Sequence, residues 1–294
     1  MIGLVAGLMA LAMGAAAAAP PQTDRLATFS VNTYLDDAES WSGDVGLDVP
    51  VGKHFRTFGT VGYSSLPQER RSGTPQDVDF AYGSAGLGYE RGGFSGDVSL
   101  SRWGDDELVA TRDLRVGAGY DTERFGARLN LVFRDLELTV RRFVPEVGVV
   151  AEKRSTRATS AGLELSATPD SRWRLYAGGE IGDYDADLER LANRLPPRLF
   201  AQRKLTLSST FPKWAWYTGA DLFLGAHRLN VEYAADTSIF DGIDSSAASL
   251  AWQLPLGADS GWTLDLRIGQ SRGQSRAEGS ESATFGVASL ALFY

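Results

Sequence analysis

The chain has 294 residues, 33 of them glycine and none cysteine, with a net charge of −8 and a pI near 4.9. Its length allows one large β domain or two ordinary ones. Its acidity argues against nucleic acid as a partner, because phosphate binding wants a positive surface, and the lack of cysteine excludes disulfides, thiol nucleophiles, thiolate metal sites and lipid attachment through an N-terminal cysteine.

The first segment, MIGLVAGLMALAMGAAAAAP, is apolar and closes on small residues. It reads as a secretory signal peptide over 1–19, with an Ala-x-Ala cleavage region near Ala16 to Ala19, although no Lys or Arg precedes its apolar core. A transmembrane anchor is the weaker alternative, since the run is short for a span and dilutes into alanine. No later stretch is apolar for the length of a spanning helix, so 20–294 is expected to be one exported domain without a transmembrane helix.

From there the dominant signal has period two, the spacing at which strand side chains alternate between faces. WSGDVGLDVPV sets Trp41, Val45, Leu47, Val49 and Val51 against Asp44 and Asp48. FGARLNLVF opposes Phe125, Ala127, Leu129, Leu131 and Phe133 to Arg128 and Asn130. WRLYAGGEIGD opposes Trp173, Leu175, Ala177 and Ile181 to Arg174, Tyr176 and Glu180. HRLNVEYAAD and GWTLDLRIGQ repeat the pattern, the last with Trp262, Leu264, Leu266 and Ile268 against Thr263, Asp265 and Arg267. About fourteen segments read this way, over 25–35, 41–51, 54–65, 77–90, 93–103, 107–120, 124–137, 157–168, 172–184, 211–225, 227–239, 244–256, 261–273 and 281–294. Glycine blurs the third and fourth, and 137–157 has room for another pair. Twelve or sixteen strands are therefore the alternatives, bacterial barrels being even-numbered.

Every second connection is a tight turn, such as Gly52-Lys53, Pro169-Asp170-Ser171 and Gly225-Ala226. The others are mostly longer, at 66–76, 138–156, 185–210, 240–243 and 274–280, with a short one at 104–106. Short turns on one rim and long loops on the other is the asymmetry of transmembrane barrels, and both chain ends fall on the short-turn side. Trp41, Trp103, Trp214 and Trp216 fall near loop-side strand ends and Trp173 and Trp262 just after tight turns, where indoles would meet the headgroups. A soluble sandwich also alternates, but these apolar faces run nearly unbroken along the chain, and fourteen strands enclose more space than side chains can fill. The expected fold is all-β: a single transmembrane antiparallel up-and-down β-barrel of about 14 strands.

The signal peptide, the amphipathic strands and the terminal FGVASLALFY together resemble a Gram-negative outer-membrane β-barrel protein of porin-like type. In the last strand Ala288, Leu290, Leu292 and Tyr294 share one face. This is similar to the C-terminal recognition signal of that class, which typically ends in Phe where this chain ends in Phe293-Tyr294. The resemblance covers the mature chain but is architectural. It implies an outer-membrane location, contact with outer-membrane lipid and lipopolysaccharide, and assembly by periplasmic chaperones and the barrel-assembly machinery through Leu290, Leu292, Phe293 and Tyr294. Oligomeric state stays open.

If the apolar face meets lipid, the other face lines a lumen. It carries Asp44, Asp48, Asp97, Asp113, Glu164, Glu180, Asp221, Glu232 and Asp265, with Arg115, Arg128, Arg134, Arg174, Arg228 and Arg267. Charges in such number need water or mutual pairing. Two readings follow: a porin-like channel for passive diffusion of small polar solutes, or a non-conducting structural or surface-binding barrel whose charges pair and close it. Arginines also crowd two loops. Arg141, Arg142 and Arg154 fall in 138–157, and Arg190, Arg194 and Arg198 in 185–204, where Leu188, Leu191 and Leu195 predict a short helix before Pro196-Pro197. Those arginines could meet lipopolysaccharide phosphates. Some barrels of this class are hydrolases that use His near the outer leaflet. Here His54 and His227, the two histidines, flank tight turns on the opposite rim, which disfavours an enzyme and leaves no metal or cofactor site to assign.

Overall fold

A computed structural model describes residues 27–37, 40–66, 78–105, 109–144, 148–185, 212–239, 244–257, 261–275 and 279–293. They form fourteen strands: β1 (Thr28–Asp36), β2 (Trp41–Val51), β3 (Phe55–Leu66), β4 (Val78–Arg91), β5 (Phe94–Asp105), β6 (Val109–Asp121), β7 (Phe125–Val144), β8 (Gly148–Asp170), β9 (Trp173–Tyr184), β10 (Pro212–Leu224), β11 (His227–Ser238), β12 (Asp244–Pro255), β13 (Trp262–Ser275) and β14 (Gly279–Phe293). Each pairs antiparallel with its neighbours in sequence, and β1 pairs with β14, so the sheet is a closed up-and-down barrel with no free edge. No helix occurs among the described residues.

Closure rests on the last strand. Thr28 faces Phe293, Val31 faces Leu290 and Tyr34 faces Val287 across the β1–β14 seam. A strand whose backbone groups all find partners in its two neighbours leaves none to be satisfied by solvent, the condition for crossing hydrocarbon. The tight turns lie on one rim. At the β4–β5 hairpin both central residues, Gly92 (φ 59°) and Gly93 (φ 85°), hold positive φ, as a two-residue turn matching strand twist requires.

The outer face is apolar. Phe125, Leu100, Val61 and Ile181 are exposed by 65–71% in the isolated chain, and their strand-mates repeat the pattern around the barrel. Soluble monomers do not present apolar surface on that scale. On β7 the outward side chains Phe125, Ala127, Leu129, Leu131 and Phe133 give way to Asp135, an apolar stretch of nine residues, close to the length a tilted strand needs to cross a bilayer. Aromatic pairs mark both borders of the belt. Phe55–Tyr89 and Phe94–Tyr120 lie at the tight-turn rim with ring centroids 5.1 and 4.6 Å apart, and Trp41–Tyr63 at the other with 5.7 Å.

Two expectations need correction. The segment 138–156 is neither a loop nor an extra strand pair: β7 and β8 continue pairing to Val144↔Gly148. Arg141, Arg142 and Arg154 are thus strand residues of one long hairpin, opposite Ala151, Val150 and Leu138. The β-forming run Leu136, Leu138 and Val140 continues the alternation, so the strand does not stop where the apolar belt does. Trp103 does not join the outer girdle either. It faces Tyr82 in the β4–β5 register and stacks on the buried Phe80, centroids 4.9 Å apart, on the inner face. One residue of parity decides between lipid and interior.

Candidate functional site: the charged inner face

The register turns one parity of every strand inward. The fourteen residues Asp44, Asp48, Asp97, Asp113, Arg115, Arg128, Arg134, Glu164, Arg174, Glu180, Asp221, Glu232, Asp265 and Arg267 all fall on the face opposite the exposed apolar side chains. Most are brought together in wall-bound groups. On β9 to β13, the fully buried Asp221 accepts from Arg228 Nε and Asn230 Nδ2, both at 2.8 Å. Asn230 also donates to Tyr176 Oη, which donates to Glu232 at 2.8 Å, and Arg267 stands 3.6 Å from Glu232. Nearby, Tyr217 Oη donates to Glu164 at 2.5 Å, with Arg174 3.9 Å from the same carboxylate.

The other half of the wall is built alike. Arg134 grips Asp113 with two bonds of 2.8 and 2.6 Å, the planar fork that suits a carboxylate. Arg128 pairs with Asp97 and donates to Asn130 at 3.1 Å. Arg56 pairs with Asp48 at 2.6 Å, approaches Glu90 at 3.6 Å and lies over the Phe58 ring. Asp44 accepts from Asn32 at 2.6 Å and Tyr82 at 2.9 Å. Each of these contacts lies within one strand or joins strands that are neighbours or next but one. Arg115, Glu180 and Asp265 have no ion-pair partner among the described residues.

Inward aromatic rings lie flat against the wall, and glycine makes this possible. Gly62 sits under Tyr82, Gly86 under Phe58, Gly178 under Tyr217, Gly219 under Tyr176 and Gly269 under Phe285, so that a Cβ at any of them would strike the ring. Each ring covers backbone that a strand glycine would otherwise leave bare, and stays out of the barrel axis.

The architecture has solved counterparts. The monoaromatic hydrocarbon channel CymD superposes at a TM-score of 0.58 with 8% identity, covering 92% of this chain and 89% of that one. The chain has the fold of outer-membrane β-barrel channels. The toluene transporter TodX of Pseudomonas putida matches this barrel at 0.53 with 12% identity over 93% and 90% of the two chains, and outer-membrane expressed OmpT of Vibrio cholerae at 0.51 with 8% identity over 94% and 99%. No family model matches the sequence, and no curated protein does.

Several inner-face residues of the barrel escaped the sequence reading: Asn32, Arg56, Tyr82, Glu90, Tyr217 and the buried Asp236. All share the parity of the charged faces, which was the signal available. In β3 and β4 the inward glycines broke that signal, because the residues covering them come from adjacent strands. His54 lies in the β2–β3 turn, its Nδ1 3.1 Å from Glu90 O, and His227 opens β11, both at the tight-turn rim. Arg190, Arg194, Arg198, the helix read at 188–195, residues 1–19 and Tyr294 fall outside the described residues.

Proposed function

We propose that the protein is an outer-membrane channel for passive diffusion of small polar solutes, with a preference for cations. One observation carries the reading: the inward ion pairs that form run along the wall, between strands at most two apart, while the inward rings are held flat on glycines. A barrel closed by its own side chains would reach across the opening instead, and fourteen strands leave space that side chains do not fill. The preference follows from composition. The inner-face residues named from the sequence include nine carboxylates and six arginines, counting Arg228, and carboxylate-rich linings favour cations. Glu180 and Asp265, without ion-pair partners among the described residues, are the groups a passing cation would meet.

In this reading 1–19 is the export signal, 20–294 is the outer-membrane barrel, and the tight turns face the periplasm. The β14 strand, ending Leu290, Leu292, Phe293 and Tyr294, presents the chain to periplasmic chaperones and the assembly machinery. The barrel acts without a cofactor and is not an enzyme. The test is single-channel recording of the refolded protein in planar bilayers under a potassium chloride gradient. Stepwise openings with a reversal potential toward that of potassium are expected. Silence from a barrel shown to be folded would refute conduction and favour a structural or surface-binding role. A reversal toward chloride would refute the preference, and hydrolysis of a fluorogenic peptide or phospholipid would refute the non-enzymatic reading.

A further inference from the structure

A groove of about 660 Å³ crosses β4 to β8, lined by five residues whose side chains face inward and by their chain neighbours. The five, Ser84, Ser101, Asp113, Arg134 and Ala158, form one register row. The inward residues two positions further on, such as Trp103, Arg115 and Val132, take no part in its lining. The groove therefore lies on the outer wall, with the backbone of that row as its floor and two outward rows as its banks.

The banks differ in kind. The one nearer the tight turns carries Leu100, Leu114 and Phe133, exposed by 65, 37 and 46%. The other carries Arg102, Arg112, Asp135 and Arg157 side by side on β5 to β8. Arg102, which has a contact of its own, stands directly opposite Arg112, a like-charge cross-strand pair that is unfavourable by itself. Asp135 is taken up by Arg157 at 3.4 Å, and Arg112 has no ion-pair partner among the described residues. Two further carboxylates, Glu137 and Asp185, lie beyond the arginine row, on its side away from the apolar belt. The row sits where the apolar belt of β7 ends, between Phe133 and Asp135.

We infer that this groove binds the phosphate of a phosphorylated glycolipid of the outer leaflet, lipopolysaccharide, with an acyl chain along Leu100, Leu114 and Phe133. An anion between Arg102 and Arg112 relieves their mutual repulsion and takes charge-assisted hydrogen bonds from both. The apolar bank beneath supplies what free phosphate cannot use, so the site selects an amphiphile. It is distinct from the arginines at 141, 142 and 154, which lie further along the β7–β8 hairpin. The inference rests on the barrel lying in an outer membrane, with the loop rim outward, but not on its conducting.

The test uses the whole refolded barrel in phosphatidylcholine nanodiscs, titrated with bisphosphorylated lipid A, with retained lipid counted by native mass spectrometry. R102Q/R112Q is expected to retain lipid A at least about tenfold more weakly, the loss of two charge-assisted bonds, while R124Q at the tight-turn rim retains it like the parent. Dephosphorylated lipid A should bind the parent and R102Q/R112Q equally weakly, and millimolar inorganic phosphate should not compete. Equal retention of lipid A by the parent and R102Q/R112Q, each folded by heat-dependent gel mobility, would overturn the inference. So would equal retention of lipid A and its dephosphorylated form by the parent, or full competition by inorganic phosphate. No arm depends on conductance, so a silent channel leaves the site intact.

Discussion

Replacing Gly178 by alanine tests how the inner wall is packed. A Cβ there would lie 2.5 Å from both Cζ and Oη of Tyr217, about 1 Å inside normal carbon contact. The backbone of β9 is held by β8 and β10, so the ring moves rather than the strand. Its hydroxyl then leaves Glu164, to which it donates at 2.5 Å. A hydrogen bond to a charged group is worth roughly 1.5–3 kcal/mol, and a ring pushed off its rotamer adds roughly 0.5–1.5 kcal/mol. Gly→Ala in an unstrained strand would by itself stabilise by about 0.4–1 kcal/mol through the unfolded chain, so the sign alone discriminates. We expect Gly178→Ala to destabilise the barrel by about 2–3 kcal/mol, read from urea unfolding in lipid vesicles by tryptophan fluorescence. In a Tyr217→Phe background, where the bond is already gone, the same change should cost about 1 kcal/mol or less. Conductance should fall in Gly178→Ala, because the displaced ring enters the lumen. Equal cost in both backgrounds, or net stabilisation in the parent, would refute the view that glycine seats the ring.

Other outcomes follow from the same wall. Asp221→Ala strands Arg228 and Asn230, and breaking so buried a pair should cost about 3–5 kcal/mol in the same unfolding assay, with Asp221→Asn losing less. Converting Glu180 and Asp265 together to lysine should carry the reversal potential toward that of chloride, since both carboxylates lie on the inner face. Removing Phe293-Tyr294 takes away the Thr28↔Phe293 end of the closing seam, and the truncated chain should fail to acquire heat-resistant gel mobility in vesicles.

Much of the barrel was legible because a membrane-exposed strand writes its environment in single-residue alternation. GWTLDLRIGQ and HRLNVEYAAD could be assigned face by face, and the count of fourteen followed from them. Reading failed where the alternation ceased to mark the solvent it faced. Beyond Phe133 both faces of β7 leave the apolar belt, so the hairpin that carries Arg141, Arg142 and Arg154 looked like a loop although its pairing continues. Trp103 carried the chemistry of a girdle residue on a strand whose parity turned it inward, against Phe80.

The sequence by itself determined which face of each strand is apolar, which is charged and that the final strand must pair, because those follow from period two and from the hydrogen-bonding demand of a backbone in hydrocarbon. Only the tertiary structure decided which charges meet. Arg267 reaches Glu232 two strands away while Asp265 on its own strand has no ion-pair partner among the described residues, and Tyr217 reaches Glu164 over Gly178. Those partnerships depend on the stagger between strands and on which glycine lies beneath each side chain. These are relations between distant segments that no local pattern encodes.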